Sequence, residues 1–261
     1  MKDDFDIIVK GFSDNKDLVI YPVSDLHIGA KECLVREWML FKNKLLEEPD
    51  SYLVILGDMM NNALKSSVSN SYEETMRPRE QKQWLVEQLS EVRNKILCIV
   101  PGNHCARSEK DADDNPLYDV ACKLDLEDVY RENMAIVKIR VGKVNGNGAK
   151  NPTYTMVCVH GSGGGALTGG AINRNERYGM AFDGVDILCT GHTHKPVVTR
   201  PAKIVVDTHN NRVTVKPFIA VTATSWLGYS GYAARKMLTP TSHALQQIHL
   251  CGSRKEVTVT I

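Results

Sequence analysis

The sequence predicts an α/β fold built on two sheets, and three observations carry that prediction. Five short apolar runs, at residues 18–23, 52–56, 96–100, 154–159 and 185–190, each end by delivering polar side chains of the ligand type. Helical patterns separate the first three runs, whereas strand patterns without helices dominate the chain after His194. A short apolar run that ends in punctuation reads as a buried strand, and ligands of such sheets collect beyond the carboxyl ends of the strands.

Residues 18–23 deliver Asp25 and His27. Residues 32–47 follow as an amphipathic helix, with Leu34, Trp38, Phe41 and Leu45 at spacings of four, three and four and Pro49 just past its end. Residues 18–56 are then a βαβ unit with parallel strands and a right-handed crossover. The second strand stops at Gly57-Asp58. Residues 61–79 are polar, rich in Ser and Asn and without period, so they are a candidate lid or substrate-binding loop. Residues 80–92 are helical, with Trp84, Leu85, Leu89 and Val92 on one side, and they feed the strand that delivers Asn103 and His104. Residues 108–115 are charged and loop-like, and 117–126 form a short helix. Residues 135–141 and 154–160 flank residues 142–151 as a hairpin with a long loop. The run ending at Gly191 delivers His192 and His194. Residues 203–207 and 212–215 form another hairpin through Asn210-Asn211, and 218–222 and 257–261 add strands. With no helices between them, these late strands are expected to build the second, more antiparallel sheet.

A chain of 261 residues that is 43% hydrophobic can bury a sizeable core, and the ligand-bearing strands span most of it, so residues 1–261 are read as one domain. The acidic start, Met1-Lys-Asp-Asp-Phe-Asp, is not a secretory signal. No run approaches the roughly 18 apolar residues of a membrane span. Seven scattered cysteines without a CxxC pair argue against a disulfide framework or a thiolate zinc site and for a cytoplasmic protein. A net charge of +1 lacks the basic excess of a binder that relies on bulk phosphate contacts.

The motifs are Asp25-x-His27, Gly57-Asp58-x-x-Asn61, Gly102-Asn103-His104, His160-Gly161 and Gly191-His192-x-His194. Residues two apart in an extended segment share a face, so Asp25 and His27 are expected to grip one ion together. His192 and His194 have the same spacing and are each able to serve a different ion of a pair. Two carboxylates, four imidazoles and one amide, with no thiolate, suit divalent Mn, Fe, Co, Ni or Zn rather than Ca or Mg alone. Seven ligands exceed one closed four-coordinate site. They suit two ions about 3.5–4 Å apart that share a carboxylate, for which Asp58 is the natural choice.

These five motifs, in this order from Val23 to Lys195, resemble the calcineurin-like metallophosphoesterase superfamily, and among its branches the bacterial and phage-type phosphodiesterases. The resemblance implies a four-layer αββα sandwich of two mixed β-sheets flanked by helices, with a binuclear metal site at the carboxyl-terminal edge of the strands. It implies that Asp25, His27 and His194 bind one ion, that Asp58 bridges, and that Asn103, His160 and His192 bind the other. His104 is then the acid that protonates the leaving group. Two positions depart from the family pattern. Asn61 stands where an Asp often orients the catalytic histidine, and Cys105 stands where Asp or Glu often follows Gly-Asn-His. Both remove a carboxylate from the neighbourhood of His104, which is expected to lower its pKa; the Asn61 side chain is still expected to hydrogen-bond the ring.

Beyond the motifs, the Gly-rich stretch 161–170 includes Gly-x-Gly-x-x-Ala, but no apolar helix follows it and no Gly-Lys-Ser/Thr completes a phosphate loop. It reads instead as a loop that lets a substrate backbone approach. Arg174 and Arg177 beyond it, and Arg107 three residues after His104, are candidate phosphate ligands. Trp226, Tyr229 and Tyr232 are able to stack on a base, with packing the simpler account; His209, His243 and His249 are read as ordinary core or surface residues. The chemistry expected is hydrolysis of phosphodiester bonds of nucleic acid or nucleotides by a metal-bridging hydroxide, with Mn the first choice of metal. The alternatives are a phosphomonoesterase of the same fold, which the Asn61-Asn62-Ala63 segment matches poorly, and a metal-bound scaffold without catalysis, against which stand His104 and all seven ligands.

Overall fold

The computed structural model describes residues 3–14, 16–65, 67, 71–142, 151–164, 167–229 and 231–261. Its first sheet is built from β2 (Leu18–Val23), β3 (Ser51–Ile55) and β4 (Ile96–Ile99), all parallel, with β12 (Gln247–Leu250) and β13 (Val257–Thr260) added antiparallel in the order β13-β12-β2-β3-β4. The second sheet has the order β1-β5-β6-β7-β11-β8, from β1 (Ile8–Phe12), β5 (Met134–Val141), β6 (Thr153–Val159), β7 (Ile187–Thr190), β8 (Val197–Thr199) and β11 (Ile219–Thr222).

Side-chain alternation along the strands makes the layers. Val54 and Leu56 of one sheet meet Tyr154, Met156, Cys158, Ile187, Cys189 and Val221 of the other in a core between the sheets. Leu53 and Ile55 point the opposite way, onto α1 (Val35–Glu47), α2 (Pro78–Ser90) and α4 (Pro116–Lys123). On α1 that face is Trp38, Phe41 and Leu45, each worth about 1.5–3 kcal/mol when fully buried. The outer face of the second sheet, Val157, Val159, Leu188 and Ala220, is covered on the side of α5 (Gly169–Gly179). The result is the expected αββα sandwich of two mixed sheets.

The late strands are distributed otherwise than expected. Only β8 and β11 join the second sheet, while β12 pairs with β2 and so returns to the first. The remaining hairpin, β9 (Ala202–Asp207) with β10 (Arg212–Pro217), pairs as expected but forms a two-stranded sheet of its own. The second sheet instead draws on β1, β5, β6 and β7, so the five ligand-bearing strands are split three and two between the sheets. β5 and β6 pair antiparallel as the predicted hairpin; residues 143–150 of its loop lie outside the described residues. Residues 108–115 are not a loop throughout: α3 (Asn103–Ala112) starts at the ligand motif itself and ends at a left-handed Asp113. A helix does follow the Gly-rich stretch, but it is the polar α5; residues 165–166 of that stretch lie outside the described residues. No helix among the described residues is long and apolar enough to cross a membrane.

Candidate metal centre

The site lies on the seam where the strand ends of the two sheets meet. Past the ladder, Asp25 N–H donates to Gly57 O at 3.1 Å and His27 N–H to Asp58 O at 3.0 Å, so the exits of β2 and β3 stay paired. The exits of β6 and β7 are joined by Gly191 N–H to His160 O at 2.9 Å. Two bonds lace one sheet to the other. His192 N–H donates to Asp25 Oδ2 at 2.8 Å, and His160 Nδ1–H donates to Leu56 O at 2.6 Å. A carbonyl only accepts, so the proton sits on Nδ1 and the His160 Nε2 edge faces the site.

Asp25 and His27 converge, but not for the reason expected. They are not in an extended segment: their φ values are 55° and 49°, and Asp58 (49°), His192 (66°) and His194 (55°) are left-handed as well. Asp, Asn and His tolerate that conformation better than other side chains. Held at about 1–3 kcal/mol each, such strain collects at functional sites. Here it turns each side chain back over the strand ends. Close approach explains two of the glycines of the motifs. A Cβ on Gly102 would lie 2.1 Å from Asp58 Oδ1, and one on Gly191 would lie 1.9 Å from Ser24 Oγ.

The predicted ligands gather in two groups joined by Asp58. In the first, Asp25 Oδ1 is 3.1 Å from His194 Nε2 and 3.6 Å from His27 Nε2. In the second, Asp58 Oδ2 is 3.2 Å from His160 Nε2, and Asn103 Oδ1 is 3.1 Å from His160 Nε2 and 2.7 Å from His192 Nδ1. Asp58 forms one trio with His160 and His192 and another with His27 and His104, all ligand atoms of each lying within 4.8 Å of one another. His192 and His194 thus fall into different groups. Each carboxylate gives one oxygen to a backbone N–H, Asp58 Oδ1 to that of His104 at 2.9 Å, and turns the other to the imidazoles.

The electrostatics fit a cation. Ring nitrogens face one another at 3.3 Å (His27 with His194) and 3.1 Å (His160 with His192), a spacing that calls for a proton or an ion between them. Burial works to raise Asp25 and Asp58, yet the neighbouring histidines hold both below the usual carboxylate range. Burial likewise works to lower His160, but the hydrogen bond and charge of Asp58 outweigh it and raise it to about 9. His194 is raised against burial by Asp25, and His192 is lowered by burial and by His160. Two buried carboxylates with four imidazoles and an amide are suitable donors for divalent transition ions.

His104 sits beside this cluster, its ring centroid 4.4 Å from that of His27. Its Nδ1–H donates at 2.5 Å to the backbone carbonyl of Asn61, not to the Asn61 side chain as expected. The Asn61 side chain instead gives its Nδ2–H to Glu74. Burial, then the charge of His27, lowers His104 to about 3, so the ring is neutral. Cys105 does not face the ring; it is 2% exposed and packs among Leu117, Val120 and Tyr130 in the helical core, where burial pushes its thiol up to about 12.

Of the candidate phosphate ligands, Arg107 is at the site, its Nη2–H donating to His104 Nε2 at 2.9 Å. Arg174 packs on the Gly-rich loop, where a Cβ on Gly163 would meet its Nη1 at 2.6 Å. Arg177 is exposed, and no hydrogen bond or ion pair joins it to the cluster among the described residues. Trp226 is core: its ring packs on Trp38 and Phe41, both centroids at 5.4 Å, and its backbone N–H donates to Asp25 O at 3.0 Å. Tyr229 is exposed, and the side chain of Tyr232 lies outside the described residues. Sequence reasoning missed Asn62, whose Nδ2 ties His104 O (2.8 Å) to Ser108 Oγ (2.7 Å). The doubled Asn after Gly-Asp was its one signal.

Histidines and carboxylates gathered at the strand-end edge of a two-sheet sandwich define a candidate metal site on an αββα fold. The family model for calcineurin-like phosphoesterases matches residues 18–196, and the chain belongs to that family. It is accordingly a metal-dependent phosphoester hydrolase, and the match takes in all seven candidate ligands and His104. None of the curated proteins compared with it matches the chain.

Proposed function

We propose that this protein hydrolyses phosphodiester bonds, with nucleic acid or nucleotide diesters as the substrate class. Asp25, His27 and His194 would hold one divalent ion, and Asn103, His160 and His192 a second, with Asp58 between them. Manganese is the first choice of ion; bound ions supply Lewis-acid polarisation of the phosphoryl oxygens and an activated water. The chain's own part is binding and proton transfer. His104, with Nδ1–H fixed on the Asn61 carbonyl, presents an unprotonated Nε2 that would take a proton from solvent water and pass it to the departing oxygen as the P–O bond breaks. A guanidinium has donors only, so Arg107 must leave Nε2 when that atom is protonated; turning to a phosphoryl oxygen frees the ring and anchors the substrate.

The observation that supports diesters is the partner of His104 Nδ1, a neutral carbonyl where a carboxylate would favour a standing imidazolium. A monoester dianion gains most from a charged ring, whereas a diester brings a single charge. The seven free thiols accord with a reducing, cytoplasmic setting. The test is a substrate panel with added Mn: bis-nitrophenyl and mono-nitrophenyl phosphate, single- and double-stranded DNA, RNA and cyclic dinucleotides. Higher kcat/KM on the diesters is expected. A preference for the monoester would make the protein a phosphatase, and no turnover of any ester would make it a scaffold.

A further inference from the structure

Behind His104 runs a chain of hydrogen bonds that all point the same way. His104 Nδ1–H donates to the Asn61 carbonyl at 2.5 Å. The N–H of that same peptide unit, carried by Asn62, donates to Gln81 Oε1 at 2.9 Å. Gln81 Nε2–H in turn donates to Glu74 Oε2 at 2.6 Å. Imidazole, peptide, side-chain amide and carboxylate are thus in series, and each amide both accepts and gives.

The arrangement is held from several sides. Gln81 is fully buried and also donates to Met76 O at 2.8 Å. A Cβ on Gly29, whose φ is +102°, would lie 2.1 Å from Gln81 Nε2, so only glycine leaves room for this amide. Thr75 N–H docks the segment onto Gly29 O at 2.8 Å, and the second oxygen of Glu74 takes the Asn61 side chain. Glu74 therefore grips the Asn61–Asn62 peptide twice, directly through Asn61 and indirectly through Gln81.

We propose that Glu74 is a positioning residue for His104, acting through the Gln81 amide and the Asn61–Asn62 peptide. Hydrogen bonds in series polarise one another, and an ionised acceptor at the end strengthens the set. The carboxylate thereby makes the Asn61 carbonyl a better acceptor, locks the ring proton on Nδ1 and leaves Nε2 as the working atom. Position 61 lacks a carboxylate, and the segment after it supplies one from thirteen residues on.

This inference rests on the reading of His104 as the proton donor, and the experiment separates the two. Glu74→Gln keeps size and polarity and removes the charge. Kinetics are measured on a diester with a sugar-hydroxyl leaving group and on a nitrophenyl diester, with His104→Ala alongside; metal content and KM are recorded, and the His104 Nδ1–H resonance is followed by NMR in the metal-free protein. Glu74→Gln is expected to lower kcat on the poor leaving group by about tenfold, the low end for groups that orient a site residue from outside. KM, metal content and nitrophenyl turnover are expected to hold, and the Nδ1–H resonance to move upfield. Equal losses on both substrates, or an unmoved resonance with unchanged kcat, would overturn the role of Glu74. If His104→Ala itself shows no dependence on the leaving group, the donor reading fails instead, and the resonance still reports whether the relay exists. Gln81→Met, which breaks the series in its middle, is expected to give the same pattern.

Discussion

Asp58 Oδ2 and His160 Nε2 lie 3.2 Å apart, and this contact holds on the ring a proton that a bound metal would have to displace. His160 is raised to about 9, above its ordinary value near 6.5, so at neutral pH it carries the proton that a ligand must lose. The folded value is above the unfolded one, so the pair stabilises the metal-free protein fully below about pH 6.5 and ever less as pH rises through about 9. Metal uptake has the opposite slope. Affinity for Mn is expected to climb between about pH 6.5 and 9, with up to one proton released from this residue per ion, and then to level off. Calorimetric titrations in two buffers of different ionisation heat measure the released protons; none at pH 7 would mean that His160 is already neutral.

Asp58→Asn is expected to be the most damaging change among the ligands. It keeps the backbone bond partner of His104 N–H but removes the charge that both groups share. Elemental analysis should show both ions lost or loosened. One ion retained in full with undiminished turnover would contradict a shared carboxylate.

Gly102→Ala tests whether the glycines serve shape alone. Gly102 has an extended backbone that any residue adopts, so the effect comes only from the methyl group 2.1 Å from Asp58 Oδ1. Overpacking of this kind costs about 1–3 kcal/mol. The expected outcome is a lower urea midpoint together with weaker metal binding, because the displaced atom is the one that orients Asp58. Weaker metal binding at unchanged stability would mean that the carboxylate moves aside freely.

How much of this was legible beforehand depends on what kind of signal each part leaves. The gathering of the candidate ligands was, because an apolar run that stops at a polar residue of the ligand type marks a strand end in a single sequence. The division of those strands between two sheets was not, since β1, with its exposed Val9, and β12, four residues with a central His249, lack a run of their own. α3 escaped because its buried face is His104, Cys105 and Ser108, which has no apolar period. Asn61 was singled out for its side chain, yet it is the carbonyl that meets the His104 ring, and carbonyls have no letter in a sequence. Glu74 lies in the polar stretch 61–79 and Gln81 on the predicted helix 80–92, and nothing in the sequence marks either until tertiary contacts bury the amide.

His104→Ala should leave the fold and the metal content in place and lower turnover by about 10²–10⁴-fold on a poor leaving group. The loss is expected to shrink on nitrophenyl esters, whose leaving groups need little protonation. Equal losses on both would favour a role in holding substrate, shared with Arg107, over proton transfer.

The last prediction concerns the two positions where the chain lacks the family's acidic residues. If Cys105 faced His104, Cys105→Asp would place an anion by the ring and raise the pH at which activity falls on the alkaline side. The side chain instead points into the core beside Leu117 and Val120. A carboxyl there finds no water and no cation, and an unsatisfied buried group costs about 1–3 kcal/mol, more if charged. Cys105→Asp is therefore expected to lower the urea midpoint by at least that much and to leave the alkaline limb of kcat/KM where it was. Asn61→Asp fails for a different reason: it sets a second carboxylate against Glu74, which now accepts the Asn61 amide, so it is expected to disturb the His104 contact rather than support it. Asn61→Ala keeps the carbonyl and should be the milder of the two. Turnover and pH profiles of the three variants, on a diester with a poor leaving group, check the ranking. An alkaline limb displaced upward in Cys105→Asp at unchanged stability would show that residue 105 reaches the ring after all.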